Sequence, residues 1–191
     1  MNNKQILSSF LAGDYEQIIC EKCAMTFLTN LYNYSDTHVL LEKRSYGLEY
    51  YCGAIHAQSL VKVPKLERVA ILTEDDEIVD IPSQESIYSG EETELRFIYI
   101  MERLQHLDED DSAYFDRCVK DLEWKSNTDR QKIIEGVTKR YNPELAQDIA
   151  NLYQFYTQHK GALAWDLHGD NLMQRISTNE IVILDPYTRN A

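Results

Sequence analysis

The C-terminal part of the sequence constrains the fold most, because short apolar runs alternate there with tight polar loops. The run Ala162–Trp165 is too short for a helix and predicts a strand that leads into a loop at Asp166. The runs Leu172–Ile176 and Ile181–Leu184 predict a β-hairpin, and Asp185 follows its second strand. We therefore expect polar side chains at these loop and strand ends to face one cleft.

Three of those polar side chains suit a complex of a nucleotide with a metal ion. Asp166 and Asn171 lie five residues apart on one loop, and Asp185 ends the following hairpin. One carboxylate can orient or deprotonate a hydroxyl nucleophile, whereas the amide oxygen and the other carboxylate are hard oxygen ligands for magnesium. The pattern therefore predicts a phosphoryl-transfer site.

The second half of the chain is predicted to be mainly helical. Asn142 supplies an N-cap and Pro143 stands in the first turn of a helix that ends before Gly161. Apolar side chains recur in this helix at spacings of three and four, which indicates one buried face. Two further helices are predicted over Ser112–Trp124 and Asn127–Tyr141.

The first half is predicted to consist mainly of strands, with one helix over Leu48–Val61. The predicted strands are Glu16–Cys20, Thr26–Leu31, His38–Lys43, an apolar segment that ends at Leu72, and Arg96–Met101. This order of elements predicts an α+β fold of two lobes. Residues 1–101 would form a small, mainly β N-lobe, and residues 102–191 a mainly helical C-lobe.

Composition argues against one class of partner. Lys and Arg total 19 against 32 Asp and Glu, so the formal charge is -13, which disfavours binding to nucleic acid through phosphate contacts. A basic protein partner suits this charge better. No apolar stretch approaches the length of a membrane span, and the N-terminus lacks the pattern of a secretory signal. We therefore expect a cytoplasmic protein that does not associate with a membrane. The pair Cys20 and Cys23 is a weak metal or redox signal, and reduced thiols are expected.

The string D-L-H-x-x-N at residues 166–171, followed by an apolar strand that ends in D-P, resembles the protein-kinase-like superfamily. The similarity is greatest to its minimal members among bacteriophage protein kinases and bacterial effector kinases. It covers the whole chain in outline, but only residues 162–187 match with much specificity. It implies a two-lobed kinase fold that uses ATP and magnesium, with Asp166 as the catalytic base and Asn171 and Asp185 as metal ligands.

The same resemblance implies a nucleotide site between the lobes. Residues 98–104 resemble the strand and hinge that bind adenine through backbone groups, which makes Met101, Glu102 and Leu104 the candidate contacts.

The resemblance to effector kinases also bears on where the protein acts. We expect it in the cytosol of a bacterium, or in the cytosol of a host cell if it is delivered there as an effector.

A lysine that contacts the nucleotide phosphates is expected on an early strand. Alternation places Lys43 on one strand face with Val39 and Leu41, so Lys43 is our candidate. An exposed lysine at a strand end is the alternative. Glu49 is the candidate to pair with Lys43 from the start of the next helix, although six residues is a short separation for such a pair.

Three features depart from the family pattern. The segment Ile18–Thr26, where a glycine-rich phosphate loop is expected, contains no glycine. Ala164 replaces the histidine usual two residues before the catalytic acid. The sequence also stops at Ala191, six residues after Asp185, so we expect a truncated C-lobe without an activation segment or a helical substrate platform.

An alternative register takes His168, Gly169 and Asp170 as the H-G-D of aminoglycoside phosphotransferases. It fails on spacing, because Arg175 and not an asparagine stands five residues after Asp170. Asp170 is then a solvated acid of the turn or a residue near the metal, and His168 is expected to hold the loop in shape.

These observations predict a minimal protein kinase that transfers the γ-phosphate of ATP to a hydroxyl of one specific folded partner, with serine or threonine favoured over tyrosine. One alternative is a pseudokinase that acts as a protein-binding module, which the missing glycines favour. Another is a kinase of small molecules, which the missing helices after Asp185 disfavour. The sequence leaves the oligomeric state open.

Overall fold

The computed structural model describes residues 2–19, 29–44, 47–79 and 95–189. The chain is a mixed α+β protein, which confirms the predicted fold class at that level. It divides into two compact units, one of Met1–Ser45 with Lys65–Arg103 and one of Tyr46–Pro64 with Leu104–Ala191. Among the described residues, no helix has the length and apolar character needed to cross a membrane.

The first unit contains a four-stranded antiparallel sheet with the strand order β1-β2-β4-β3. Its strands are β1 Thr29–Asn33, β2 His38–Lys43, β3 Leu66–Leu72 and β4 Arg96–Glu102. The predicted strand over His38–Lys43 is confirmed. In place of the predicted strand at Glu16–Cys20, the described residues form only a bridge between Gln17 and Tyr32.

A helix at the N-terminus, α1 Asn3–Leu11, packs on one face of this sheet and was not predicted. Its signal was present in the sequence, because Asn2 and Gln5 form a capping box of reciprocal side-chain and backbone hydrogen bonds. Ile6 of α1 is buried in a core with Leu40 and Ile98. Apolar burial thus explains why a short helix is stable at this end of the chain.

The second unit contains the other described α-helices and two small sheets. The helices are α2 Gly47–Gln58, α3 Glu109–Cys118, α4 Asn127–Arg140 and α5 Pro143–Gln158. The strands are β5 Leu104–His106, β6 Leu163–Trp165, β7 Leu172–Arg175, β8 Ile181–Ile183 and β9 Tyr187–Arg189. One sheet has the order β5-β7-β8 and the other pairs β6 with β9, so the predicted hairpin is confirmed as β7 and β8.

The predicted helices of this unit are present, but the one predicted over Ser112–Trp124 both starts and ends earlier. Helix α3 ends at Cys118, and Leu122–Trp124 form a separate 3₁₀ turn. Asn142 caps α5 as expected, since its side chain accepts a hydrogen bond from the Leu145 N–H at 2.8 Å. Helix α3 begins at Glu109 and not at Ser112, because Asp108 accepts from the Asp111 N–H at 2.8 Å. The acidic run is therefore the first turn of α3, where the helix dipole favours negative charge.

Helix α2 belongs to the second unit, whereas the sequence placed it in a lobe of residues 1–101. The Tyr51 hydroxyl donates to the backbone oxygen of Ile183, and Tyr51 is fully buried. The chain after α2 is also fixed, because the carboxylate of Asp148 in α5 accepts from the backbone N–H groups of Val61 and Lys62 at 2.8 and 2.5 Å. These contacts join residues far apart in sequence, which local patterns cannot reveal.

Candidate functional site

Main-chain hydrogen bonds bring the loop at residues 166–171 next to Asp185. The Asp166 N–H donates to the Pro186 oxygen at 2.9 Å, and the Leu184 N–H donates to the Asn171 oxygen at 2.9 Å. Strand β6, which precedes Asp166, pairs with β9, which follows Asp185. The structure therefore brings together the backbones of all three residues that the sequence predicted for phosphoryl transfer.

The Asn171 amide has a defined orientation. Its Nδ2 donates to the backbone oxygen of Asp166 at 2.7 Å. A carbonyl oxygen can only accept a hydrogen bond, so the amide nitrogen and not the oxygen must face it. The oxygen Oδ1 of Asn171 is consequently the amide atom that can serve as a metal ligand.

His168 shapes the loop, as the sequence predicted. Its Nε2 lies 3.1 Å from Nδ2 of Asn171 and 4.0 Å from Oδ1 of Asp166. Its Nδ1 lies 3.3 Å from the backbone nitrogen of Asp170, within the 3₁₀ turn Gly169–Asn171. A neutral imidazole has one acceptor nitrogen, so it can accept from only one of these two donors at a time.

Aromatic side chains support the site from within the second unit. The indole N–H of Trp165 donates to the Val119 oxygen at 2.9 Å, and the Tyr187 hydroxyl donates to the Leu152 oxygen at 2.8 Å. Burial raises the pKa of Tyr187, so its hydroxyl remains a protonated donor. Trp165 and Tyr187 are paired with each other across the two strands, so β6 and β9 are attached to the helical part of the unit at this end of their pairing.

Both acids of the site are partly exposed. The side chain of Asp166 is 38% exposed, and Asp185 is also of intermediate exposure, although its Oδ1 atom is buried. An acid that orients an incoming hydroxyl must be reached from solvent, and the exposure of Asp166 meets that requirement. The different roles of Asp166 and Asp185 stay predictions.

The donor set fits magnesium that also binds phosphate oxygens. Within the described ranges, no group of three or more His, Cys, Asp or Glu side chains is placed to hold a metal ion. Magnesium is often bound by only one or two protein ligands, with the rest of its coordination supplied by substrate phosphates and water. The Oδ1 atom of Asn171 and the carboxylate of Asp185 provide that number and kind of ligand.

Lys43 and Glu49 lie in different compact units. Lys43 is 9% exposed, which excludes the alternative of a solvent-exposed lysine at a strand end. Its neighbour across the sheet is Phe97 of β4. Glu49 lies in the first turn of α2, where its charge suits the helix dipole. Their pairing stays a prediction.

The predicted adenine-binding segment already uses several of its backbone groups. The Glu102 N–H donates to the Lys65 oxygen at 3.1 Å, and the Arg103 N–H donates to the Thr37 oxygen at 2.8 Å. Met101 is buried in β4, and Leu104 begins β5, opposite Arg175 of β7. The roles of Met101, Glu102 and Leu104 in nucleotide binding stay predictions, and the Glu102 donor is engaged within the sheet.

Sequence reasoning missed a buried ionic network beside Lys43. Glu42 is 4% exposed and accepts from Arg96 Nε at 2.7 Å and from Asn30 Nδ2 and the Tyr32 hydroxyl at 2.9 Å. Burial alone would raise the pKa of Glu42, but these donors lower it below its usual value. The alternation that assigned Lys43 to one face of β2 also placed Glu42 on the other, and only the structure shows its partners.

Two sequence observations fall on or near residues that are not described. Most of the glycine-free segment Ile18–Thr26 lies outside the described residues, as do Cys20 and Cys23. Cys52 and Cys118 form no disulfide within the described part of the chain, and burial raises the pKa of Cys118 to about 11. No protein-family model, curated protein or solved structure matches the chain.

Proposed function

We propose that this protein is a minimal kinase of the protein-kinase-like superfamily, which transfers the γ-phosphate of ATP to a hydroxyl side chain of a specific partner protein. The observation that supports this most is the pair of main-chain hydrogen bonds that joins the Asp166–Asn171 loop to the residues on either side of Asp185. These bonds bring the three backbones together, which supports a site in which one carboxylate and two oxygen ligands suited to magnesium would act on the same nucleotide.

Each residue then has a distinct task. Asp166 orients the acceptor hydroxyl and takes its proton, because its carboxylate reaches solvent. Asn171 and Asp185 hold magnesium, which when bound neutralises part of the charge on the phosphates. Lys43 of the first unit is assigned to the phosphates, and the backbone near Met101 to adenine, on the family resemblance.

The acceptor is proposed to be part of a folded protein with a basic surface. The net charge of -13 would attract such a partner and speed its association.

Labelling with γ-labelled ATP tests this proposal. Purified protein is incubated with magnesium and a cell lysate, and the unaltered chain is compared with Asp166→Asn and Asp185→Ala. We expect label in one or a few protein bands with the unaltered chain, and none with either variant. Asp170→Asn is the matched control, because Asp170 is an exposed acid of the same loop and should be dispensable.

The two variants should differ in nucleotide binding. Binding restricted to the native state raises the melting temperature. Magnesium and ATP should therefore stabilise Asp166→Asn as they stabilise the unaltered chain, whereas Asp185→Ala should not respond. Label transfer by Asp166→Asn at the unaltered rate would refute the assignment of Asp166 as the base.

A pseudokinase that acts only as a protein-binding module is the second candidate. The observation in its favour is the absence of glycine from Ile18–Thr26, since side chains there hinder the close approach of backbone amides to phosphates. No label transfer and no thermal response to nucleotide, with a folded chain, would favour this candidate.

A further inference from the structure

The 3₁₀ turn Gly169–Asn171 rests on helix α3. The carboxylate of Asp116 accepts a hydrogen bond from the Gly169 N–H at 2.7 Å, across 53 residues of sequence. Gly169 is buried, so this amide has limited access to water. A hydrogen bond to an ionised acceptor is stronger than one between neutral groups.

The contact between α3 and the turn is close. Ser112 lies one helical turn before Asp116, on the same face of α3. A Cβ atom on Gly169 would lie 2.4 Å from both the backbone oxygen and the hydroxyl of Ser112. The turn therefore approaches α3 through its own backbone, with no room for a side chain between them.

Asp116 is poorly suited to its own helix. Aspartate is a weak helix former, and Asp116 lies near the C-terminal end of α3, where the helix dipole disfavours negative charge. Local conflicts of this kind are expected at functional positions, where another interaction compensates for them. The hydrogen bond to Gly169 is such an interaction.

The 3₁₀ turn also fixes the positions of Asp166 and Asn171, which lie on either side of Gly169. The Asn171 N–H donates to the His168 oxygen at 3.0 Å to close the turn. The side chain of Asn171 then reaches back to the Asp166 oxygen. A displacement of Gly169 would therefore move the amide oxygen of Asn171 relative to the carboxylate of Asp185.

We infer that Asp116 is a positioning residue for phosphoryl transfer. Its carboxylate holds the turn at the distance from α3 at which Asn171 and Asp166 are correctly oriented. Asp116 itself touches neither the metal nor the substrate. This inference rests on the function proposed above, and it adds a residue that the sequence motif does not contain.

Three variants test the inference. Asp116→Leu removes the acceptor, Asp116→Asn keeps a neutral acceptor in the same place, and Asp121→Asn is the control, because the exposed Asp121 makes no side-chain capping bond. The measurements are kcat, the magnesium concentration for half-maximal transfer, and exchange of the Gly169 amide proton by NMR.

We expect Asp116→Leu to lower kcat at least tenfold, to raise the half-maximal magnesium concentration and to speed exchange of the Gly169 amide. Asp116→Asn should recover most of the lost activity, and Asp121→Asn should match the unaltered chain. Loss of the hydrogen bond to Gly169 should also lower the unfolding midpoint of Asp116→Leu, and the better helix propensity of leucine offsets only part of this loss. Asn142→Ala is therefore the control for stability, because it loses the cap of α5 but keeps the bond between Asp116 and Gly169, and it should retain the kcat of the unaltered chain.

Two results would contradict the argument at different points. If Asp116→Leu keeps the kcat, the magnesium dependence and the slow amide exchange of the unaltered chain, the inference about Asp116 is wrong and the proposed function stands. If the unaltered chain transfers no phosphate and shows no thermal response to magnesium and ATP, the proposed function is wrong, and Asp116 has no catalytic role to support.

Discussion

The substitution Gly169→Ala adds only one methyl group, but we expect it to lower both the stability of the fold and the rate of phosphate transfer. The added Cβ would lie 2.4 Å from the Ser112 backbone oxygen, whereas ordinary contacts of a Cβ begin at 3.4 Å. The turn must therefore move about 1 Å away from α3. The obstructing atom belongs to the backbone of a helix, so a change of side-chain rotamer cannot relieve the contact.

The magnitude follows from what this movement disrupts. Overpacking of a close contact costs about 1–3 kcal/mol. The 2.7 Å hydrogen bond from Gly169 to Asp116 would lengthen beyond useful range, and a bond to a charged group contributes about 1.5–3 kcal/mol. Since one movement causes both losses, we expect roughly 2–5 kcal/mol less unfolding free energy. A misplacement of about 1 Å should also lower the rate of transfer about 100-fold.

Urea unfolding followed by the fluorescence of Trp165, which is buried in β6 beside the loop, would measure the loss of stability. Gly161→Ala is the matched control, because a Cβ at Gly161 meets nothing within 4 Å. The control should change the unfolding free energy by less than about 1 kcal/mol. The reasoning fails if Gly169→Ala unfolds at the same urea concentration as the control and retains full transfer activity.

Three further predictions concern the scaffold. The lowered pKa of Glu42 means that its ionised form stabilises the fold above its ordinary value of 4.5, and that this contribution disappears as the pH falls through the lowered value. Urea unfolding of Glu42→Gln should accordingly depend less on pH below about pH 5 than that of the unaltered chain. Asn142→Ala should cost about 1 kcal/mol through loss of the cap of α5, and Asn142→Asp should largely restore it, both in urea unfolding. Tyr51→Phe should cost about 1 kcal/mol by the same measurement, since it removes only the hydroxyl that donates to Ile183, and an equal stability to the unaltered chain would contradict that contact.

Elements with a local signal could be predicted from the sequence. The Asn142 cap and Pro143 marked the start of α5, and the polar residues between two apolar runs marked the hairpin of β7 and β8. The motif also selected Asp166, Asn171 and Asp185, and the structure brings their backbones together. In each case the signal lay within about twenty residues of sequence.

Features that depend on distant contacts could not be predicted. Helix α2 joins the second unit through Tyr51 and Ile183, which are 132 residues apart. Nothing in the local sequence distinguishes Asp116 from other acids in a helix, because its partner Gly169 is 53 residues away. Strand β9 was missed because three residues that begin with Tyr187 carry no periodic pattern, and only pairing with β6 defines them.

The main-chain bonds that join residues 166 and 171 to the segment around residue 185 separate the geometry of the site from the identity of its side chains. A backbone amide or carbonyl is supplied by almost any amino acid, so a carboxylate here could become an amide, an alcohol or an imidazole without loss of these bonds. The three positions are therefore a fixed frame into which different ligand sets can be introduced. If the site binds magnesium as proposed, such a frame would allow its metal preference to be changed by substitution of side chains alone.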